Sequence, residues 1–338
     1  MIKIHTSVKM LKQNLNAFTP LIYIVCVSLF LISILANIGC DSKKPPNTSE
    51  AGKIRIVCTI GMITDIVKNV GGDQVEVIGM MGPGVDPHLY KPTAKDHTRL
   101  KSAHIVFYNG LHLEAKLADE LADMPGNTKT VAVTESVDKS LLLSHSEYEG
   151  QYDPHLWFDV TLWMKAVEKV RDTLSALDPD SQTVYQNNTD RYLAELAELH
   201  EYVKTQAERV PPEQRVLVTA HDAFNYFGKA YGFEVRGLQG ISTSMEAGIA
   251  DVRDLANFIA ERRIPAVFVE SSVSSRSLEA VKAAVKSKGF NVQIGGQLFS
   301  DAMGNEGTPE GTYIGMVRHN IGTIVKALTG ETVSTEEN

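Results

Sequence analysis

Residues 180–209 read DSQTVYQNNTDRYLAELAELHEYVKTQAER, a stretch without glycine or proline. Apolar and aromatic side chains recur along it at helical spacing, namely at Tyr185, Tyr192, Leu193, Leu196, Leu199 and Val203. This spacing places most of them on one face of a single helix. At 1.5 Å per residue the helix is about 40 Å long, which is more than a crossover within one sheet requires. We therefore predict a rigid helix that joins two lobes.

Strand and helix patterns alternate on both sides of this helix. Apolar runs typical of strands cover residues 53–60, 74–80 and 104–108 before it, and 216–219, 235–238 and 266–269 after it. A helical pattern begins near Ile63 and ends at Gly71-Gly72. Such alternation predicts parallel sheets with crossover helices. The expected fold is two Rossmann-like α/β lobes, residues 53–179 and 213–330, joined by one long rigid linker helix within residues 180–212.

The amino terminus has the pattern of a secretory signal. Lysines at positions 3, 9 and 12 precede an uncharged apolar stretch from Leu21 to Ala36. The stretch ends at Asn37-Ile38-Gly39-Cys40, which resembles a bacterial lipobox, although Asn37 departs from its usual leucine. We expect a signal peptide over 1–39 and a tether over 40–52 that is lipid-anchored at Cys40. An uncleaved membrane anchor is the alternative, and both place the folded part outside the cytoplasm.

The composition argues against a nucleic-acid-binding protein and against a disulfide-rich one. The chain has 338 residues and a formal net charge of −8, so it lacks the basic surface that nucleic-acid binding requires. Three cysteines, one of them inside the apolar amino-terminal run, do not make a disulfide framework. Residues 331–338 form a polar, acidic tail that we expect to be disordered. We expect a globular monomer that does not bind nucleic acid.

Two histidines lie in nearly identical short motifs. The motifs are Asp86-Pro87-His88-Leu89-Tyr90 and Asp153-Pro154-His155-Leu156-Trp157. Proline stiffens each turn, and the aromatic residue two positions after the histidine can exclude water from it. A single such histidine is more often structural. Two matching loops in one lobe favour a shared ligand.

A histidine and an aspartate occupy comparable positions in the second lobe. His221 follows the apolar run from Val216, at the carboxyl end of a predicted strand, where open α/β sheets form binding crevices. Asp301 ends the run Gln297-Leu298-Phe299-Ser300. A turn or helix-capping role for Asp301 is as compatible with the sequence as a role in binding.

These motifs resemble, in order, those of the cluster A-I solute-binding proteins, the zinc and manganese receptors of ABC importers. The similarity extends from about Ile54 to Leu328 and includes Asn109-Gly110-Leu111 and Phe268-Val269-Glu270. It implies one metal ion in the interlobe cleft, bound by His88, His155, His221 and Asp301. It also implies an extracytoplasmic receptor, periplasmic or on the cell surface, that delivers this ion to an ABC permease with its ATPase subunit.

Zinc is favoured over manganese as the ion. Three imidazoles and a carboxylate suit zinc, whereas a bidentate Asp301 would also admit manganese. Some manganese receptors of this family carry glutamate where this chain has His221. Many zinc receptors carry a histidine-rich loop, and residues 144–149 offer only His145.

Other polar residues are candidates for a supporting role around the site. Glu270 and Asp222 could orient ligand imidazoles by accepting their second N–H, and an ordinary surface or capping role is as compatible with the sequence. His112, beside Asn109-Gly110-Leu111, is a further candidate. His97, His104 and His200 have no partner at ligand spacing, so we expect them to lie outside the site.

The sequence is compatible with two other functions. A zinc-dependent hydrolase could use the same ligand types, although the chain has no His-Glu-x-x-His motif and four protein ligands leave little room for a substrate. A surface adhesin is the second alternative, because members of this family are often described as adhesins. We expect a transport receptor that is not an enzyme.

Overall fold

The computed structural model describes residues 53–124, 126, 128–144 and 150–330. The predicted signal peptide (1–39), the tether with Cys40 (40–52) and the tail (331–338) lie outside the described residues, as does His145. Within the described part of the chain, no helix is both long and apolar enough to cross a membrane.

The first lobe is built on a parallel sheet of four strands in the order β2-β1-β3-β4. The strands are β1 (Ile54–Cys58), β2 (Val75–Gly79), β3 (Ile105–Tyr108) and β4 (Lys129–Ala132). The helices of this lobe are α1 (Gly61–Gly71), α2 (Ala94–Ser102), α3 (Ala118–Ala122) and α4 (Val160–Leu177). Because all four strands are parallel, the loops that follow them emerge at one edge of the sheet.

A single helix of 27 residues, α5 (Gln182–Glu208), follows a 3₁₀ turn at Pro179–Ser181. The predicted apolar face is buried, including Tyr185, Tyr192 and Leu196. It packs against α1 and α4 of the first lobe and against the last helix of the chain, α9 (Tyr313–Thr329). The Tyr192 hydroxyl donates a hydrogen bond of 2.6 Å to Asp65 on α1. The predicted long helix is confirmed, and it packs against elements from both lobes.

The second lobe contains two parallel strand pairs. They are β5 (Val216–His221) with β6 (Glu234–Gln239), and β7 (Ala266–Glu270) with β8 (Gln293–Leu298). Its helices before α9 are α6 (Asn225–Tyr231), α7 (Ile249–Arg262) and α8 (Arg276–Ser287). The last residues of β5 and β7 are adjacent, since the backbone N–H of His221 donates to Glu270 at 2.8 Å. The predicted arrangement of two α/β lobes joined by a long helix is confirmed.

Several elements differ from the sequence-based expectation in extent or were not expected. Helix α1 begins at Gly61, two residues earlier than predicted, and β5 continues through His221. Strands β4 and β8 and helix α4 have no counterpart among the predicted elements. Strand β8 reads QIGGQL, and its two glycines disrupt the alternation by which a strand is recognised. Strand β4 reads KTVA with only Val131 buried, so it lacks the apolar run by which β3, of the same length, was recognised.

Candidate metal centre

Four buried side chains from separate parts of the chain converge between the lobes. They are His88, His155, His221 and Asp301, each with at most 3% of its surface exposed. Each offers one donor atom, and these atoms all lie within 4.8 Å of one another. The structure therefore brings together all four residues that the sequence and its resemblance indicated. Two come from the first lobe and two from the second.

The three imidazoles present Nε2 to a common centre. Nε2 of His88 is 3.3 Å from Nε2 of His155. Asp301 lies opposite, with Oδ2 at 3.3 Å from His221 Nε2 and 3.6 Å from His88 Nε2, and Oδ1 at 3.4 Å from His155 Nε2. Both carboxylate oxygens therefore face the imidazoles.

The same hydrogen-bonded turn positions each of the two first-lobe histidines. Oδ1 of Asp86 accepts a hydrogen bond of 2.9 Å from the backbone N–H of His88, and Oδ1 of Asp153 accepts one of 2.9 Å from His155. An aspartate that binds the N–H two residues later closes an Asx turn. The intervening proline restricts the backbone further. The Asp-Pro-His sequence thus determines the local conformation that presents each imidazole.

Carboxylates also orient two of the rings. Nδ1 of His155 lies 2.7 Å from Oδ1 of Asp153, and Nδ1 of His221 lies 2.5 Å from Oε2 of Glu270. If each Nδ1 carries the proton of the neutral ring, the lone pair of Nε2 points into the cluster. Glu270 is held in turn by the backbone N–H of His221, so the last residues of β5 and β7 form one unit.

The electrostatics of the cluster follow from burial and from the charges inside it. Burial lowers the pKa of His88 to about 3. Burial also acts against a charge on His221, but Glu270 and Asp301 outweigh it and raise the pKa of His221 well above its ordinary value. For Asp301, burial acts to raise the pKa, but His221 and the other imidazoles bring it below its usual range. The cluster therefore favours an ionised carboxylate and positive charge close to it.

Several atoms of the cluster that could ligate a metal lack a hydrogen-bond partner among the described residues. Among the described residues, Nε2 of His221 and both carboxylate oxygens of Asp301 have no partner with hydrogen-bond geometry. Leaving such buried polar atoms unpaired is costly. The Trp157 ring lies edge-on to His155, with centroids 5.2 Å apart, and helps to exclude water. A divalent cation fits this donor set, because it would accept lone pairs from all four side chains at once.

The supporting residues agree only in part with the sequence-based candidates. Glu270 takes the expected role beside His221, whereas Asp222 lines a separate surface cavity beside β6. His112 is exposed in the loop after β3 and is not a member of the cluster, so its candidacy is not supported. His97, His104 and His200 are also outside it, as expected.

The role of Asp153 in orienting His155 was not predicted from the sequence. The Asp-Pro-His spacing is the signal that could have found it, because that spacing lets the aspartate reach both the backbone and the ring of the histidine.

Known proteins resemble this chain over most of its length. Zinc-binding protein TroA of Treponema pallidum (strain Nichols) is 51% identical over 277 residues, which cover 82% of this chain and 89% of that protein. Manganese-binding lipoprotein MntA of Bacillus subtilis (strain 168) is 44% identical over 298 residues, covering 88% and 97%. The solved structure of the periplasmic zinc-binding protein TroA from Treponema pallidum superposes with a TM-score of 0.80 over 82% of this chain and 99% of that one. The family whose pattern matches residues 56–327 is described as zinc-uptake complex component A, periplasmic (ZnuA), and this chain belongs to it.

Proposed function

We propose that this chain captures a divalent metal ion outside the cytoplasm, with His88, His155, His221 and Asp301 as its ligands, and delivers the ion to an ABC permease and its ATPase subunit. The observation that carries the proposal is the buried, unsatisfied donor set between the lobes. Membership of the zinc-uptake family supports the transport role. Residues 53–179 and 213–330 act as the two lobes and 180–212 as the linker.

The ligand set favours zinc and also admits manganese. Three imidazole nitrogens with one carboxylate oxygen are a usual tetrahedral zinc set. Both oxygens of Asp301 face the imidazoles, so the carboxylate can also bind in a bidentate manner and raise the coordination number to five. Manganese prefers such larger, more oxygen-rich sets. The names of the relatives include both metals.

The same ligand count favours a carrier over an enzyme. Catalytic zinc sites keep one position for water or substrate beside three protein ligands. Here four protein groups can each supply a ligand, and each is buried. Because two ligands come from each lobe, separating the lobes would break the site in half and release the ion. We therefore infer that the ion is cargo and that the chain is not an enzyme.

The test of this proposal combines metal content with growth. The purified chain, incubated with equimolar zinc and manganese and then desalted, should retain close to one ion per molecule by mass spectrometry, with zinc in excess. A deletion strain should grow poorly on the limiting metal and recover when the chain is restored. A desalted protein without bound metal, or a deletion strain with normal growth on limiting zinc and on limiting manganese, would argue against the proposal.

The proposed location rests on the amino-terminal sequence. We propose that residues 1–39 are a signal peptide, that Cys40 is acylated and that residues 40–52 tether the folded part to the membrane. The relative from Bacillus subtilis is named a lipoprotein. The Cys40→Ala variant should lose labelled fatty acid and should remain unprocessed or appear in the soluble fraction. Membrane attachment without any label in the wild-type chain would support an uncleaved anchor instead.

A further inference from the structure

Each of the two Asp-Pro-His loops accepts a hydrogen bond from the second lobe that is not part of its own turn. In each loop the aspartate uses Oδ1 for its own turn, and its Oδ2 accepts a hydrogen bond from the second lobe. For Asp86 the donor is the hydroxyl of Thr243, at 2.6 Å. For Asp153 the donor is the side-chain amide of Asn225, at 3.1 Å. Each aspartate therefore connects a histidine of the first lobe to a residue of the second.

These contacts lie beside the metal centre and are shielded from water to different degrees. Thr243 is 7% exposed and Asp153 is 1% exposed, whereas Asp86 and Asn225 are partly buried. Hydrogen bonds to an ionised group are stronger than those between neutral groups, and more so where water is excluded. Asn225 begins α6, and Thr243 lies in the segment between β6 and α7. Separation of the lobes would break both contacts.

We infer that Thr243 and Asn225 are positioning residues that latch the second lobe onto the two histidine loops and so slow the release of the bound ion. This inference rests on the proposed function. Their side chains hydrogen-bond to Asp86 and Asp153, which are not members of the cluster. They act through Asp86 and Asp153, whose other oxygen holds the turn that presents His88 or His155.

The latch should affect release more than capture. The hydrogen bonds exist only while the lobes are together, so they stabilise the closed arrangement and not the open one. Binding of an ion by lobes that are apart would not depend on these hydrogen bonds. Loss of one latch should therefore raise the dissociation rate and leave the association rate within about twofold of the wild-type value.

The decisive variant is Thr243→Val, which removes the hydroxyl and keeps the shape of the side chain. In stopped-flow measurements with excess chelator, zinc should leave this variant about tenfold faster than it leaves the wild-type chain, the factor that corresponds to loss of one hydrogen bond to a charged group. Thr243→Ser restores the hydroxyl and should restore the slow rate. Asn225→Ala tests the second latch in the same way.

Another contact between the lobes provides a matched control. Lys68 on α1 and Glu306 beyond β8 form an ion pair at 2.8 Å, with 52% and 88% of their side chains exposed. An exposed pair of this kind contributes little. It also does not touch either histidine loop. Lys68→Ala should therefore release zinc at the wild-type rate, which separates the latch from contact between the lobes in general.

A double-mutant cycle tests whether Thr243 acts through Asp86. In an Asp86→Ala background the additional Thr243→Val change should have no further effect on the dissociation rate. An equal effect in both backgrounds would overturn the latch, as would a wild-type rate in folded Thr243→Val. A wild-type chain that binds neither zinc nor manganese would contradict the proposed function and the latch together. Wild-type binding with an unchanged variant rate would contradict the latch alone.

Discussion

Replacing His221 by alanine is expected to weaken zinc binding more than hundredfold while the chain remains folded. Mutation of a residue that only orients a metal ligand typically lowers the metal affinity about 10–100-fold. Loss of a direct ligand should therefore lower it further. The substitution removes one of four donors and opens the centre to water. Glu270 loses one of its two hydrogen bonds and keeps the bond from the backbone N–H of residue 221. Stability should therefore fall by about 1–3 kcal/mol, which a two-lobed α/β chain of this size tolerates.

Competition titration with a chromophoric chelator measures the affinity, and circular dichroism reports the fold. His200→Ala is the matched control, because His200 lies on α5 and bonds to Tyr231 outside the centre. It should bind zinc with wild-type affinity. Wild-type affinity in folded His221→Ala would remove His221 from the ligands.

Zinc affinity should fall steeply as the pH is lowered. The charges of Glu270 and Asp301 raise the pKa of His221 well above its ordinary value, so below that pKa the ring carries a proton that the ion must displace. One displaced proton lowers the affinity about tenfold for each pH unit below the pKa, or about a hundredfold over two units. His88, with a pKa of about 3, is already neutral above pH 5 and contributes no proton there. Asp301, with its pKa below the usual range, remains ionised.

The matched variant for this effect is Glu270→Gln. Its single amide oxygen can accept from Nδ1 of His221, at the cost of the hydrogen bond from the backbone N–H of His221, and the charge that raises the pKa of the ring is removed. The steep part of the pH dependence should therefore move to lower pH in the variant. Calorimetry in buffers of different ionisation enthalpy should record at least one proton released per ion at pH 6 in the wild-type chain. An affinity that is independent of pH between 5 and 7, with no proton release, would contradict this account.

Local patterns were sufficient for much of the fold. Helix α5 was predictable because its apolar spacing persists over many turns without glycine or proline. The two Asp-Pro-His loops were visible because their stiffness is encoded within three residues. Strand β8 was not predicted, because its central Gly295 and Gly296 remove the alternation of apolar and polar residues. Its pairing with β7 stabilises it as a strand, and that pairing is not visible in the local sequence.

The candidate site was predictable where a residue type and its place in an element coincide. His221 ends a strand of six buried residues, which places it at the binding edge of the sheet. The residues that hydrogen-bond to the ligands and their loops were harder to predict from the sequence. Glu270 reaches His221 only because β5 and β7 end side by side, 49 residues apart in the chain. Thr243 is separated from Asp86 by 157 residues, and no local pattern indicates that they meet.

The most direct test of the central claim is a crystal structure of the zinc-loaded chain with anomalous diffraction recorded on both sides of the zinc absorption edge. We predict one strong anomalous peak between the lobes, with Nε2 of His88, His155 and His221 and a carboxylate oxygen of Asp301 at about 2.0–2.2 Å. A principal peak at another position, or a centre in which fewer than three of these imidazoles contact the ion, would contradict the claim.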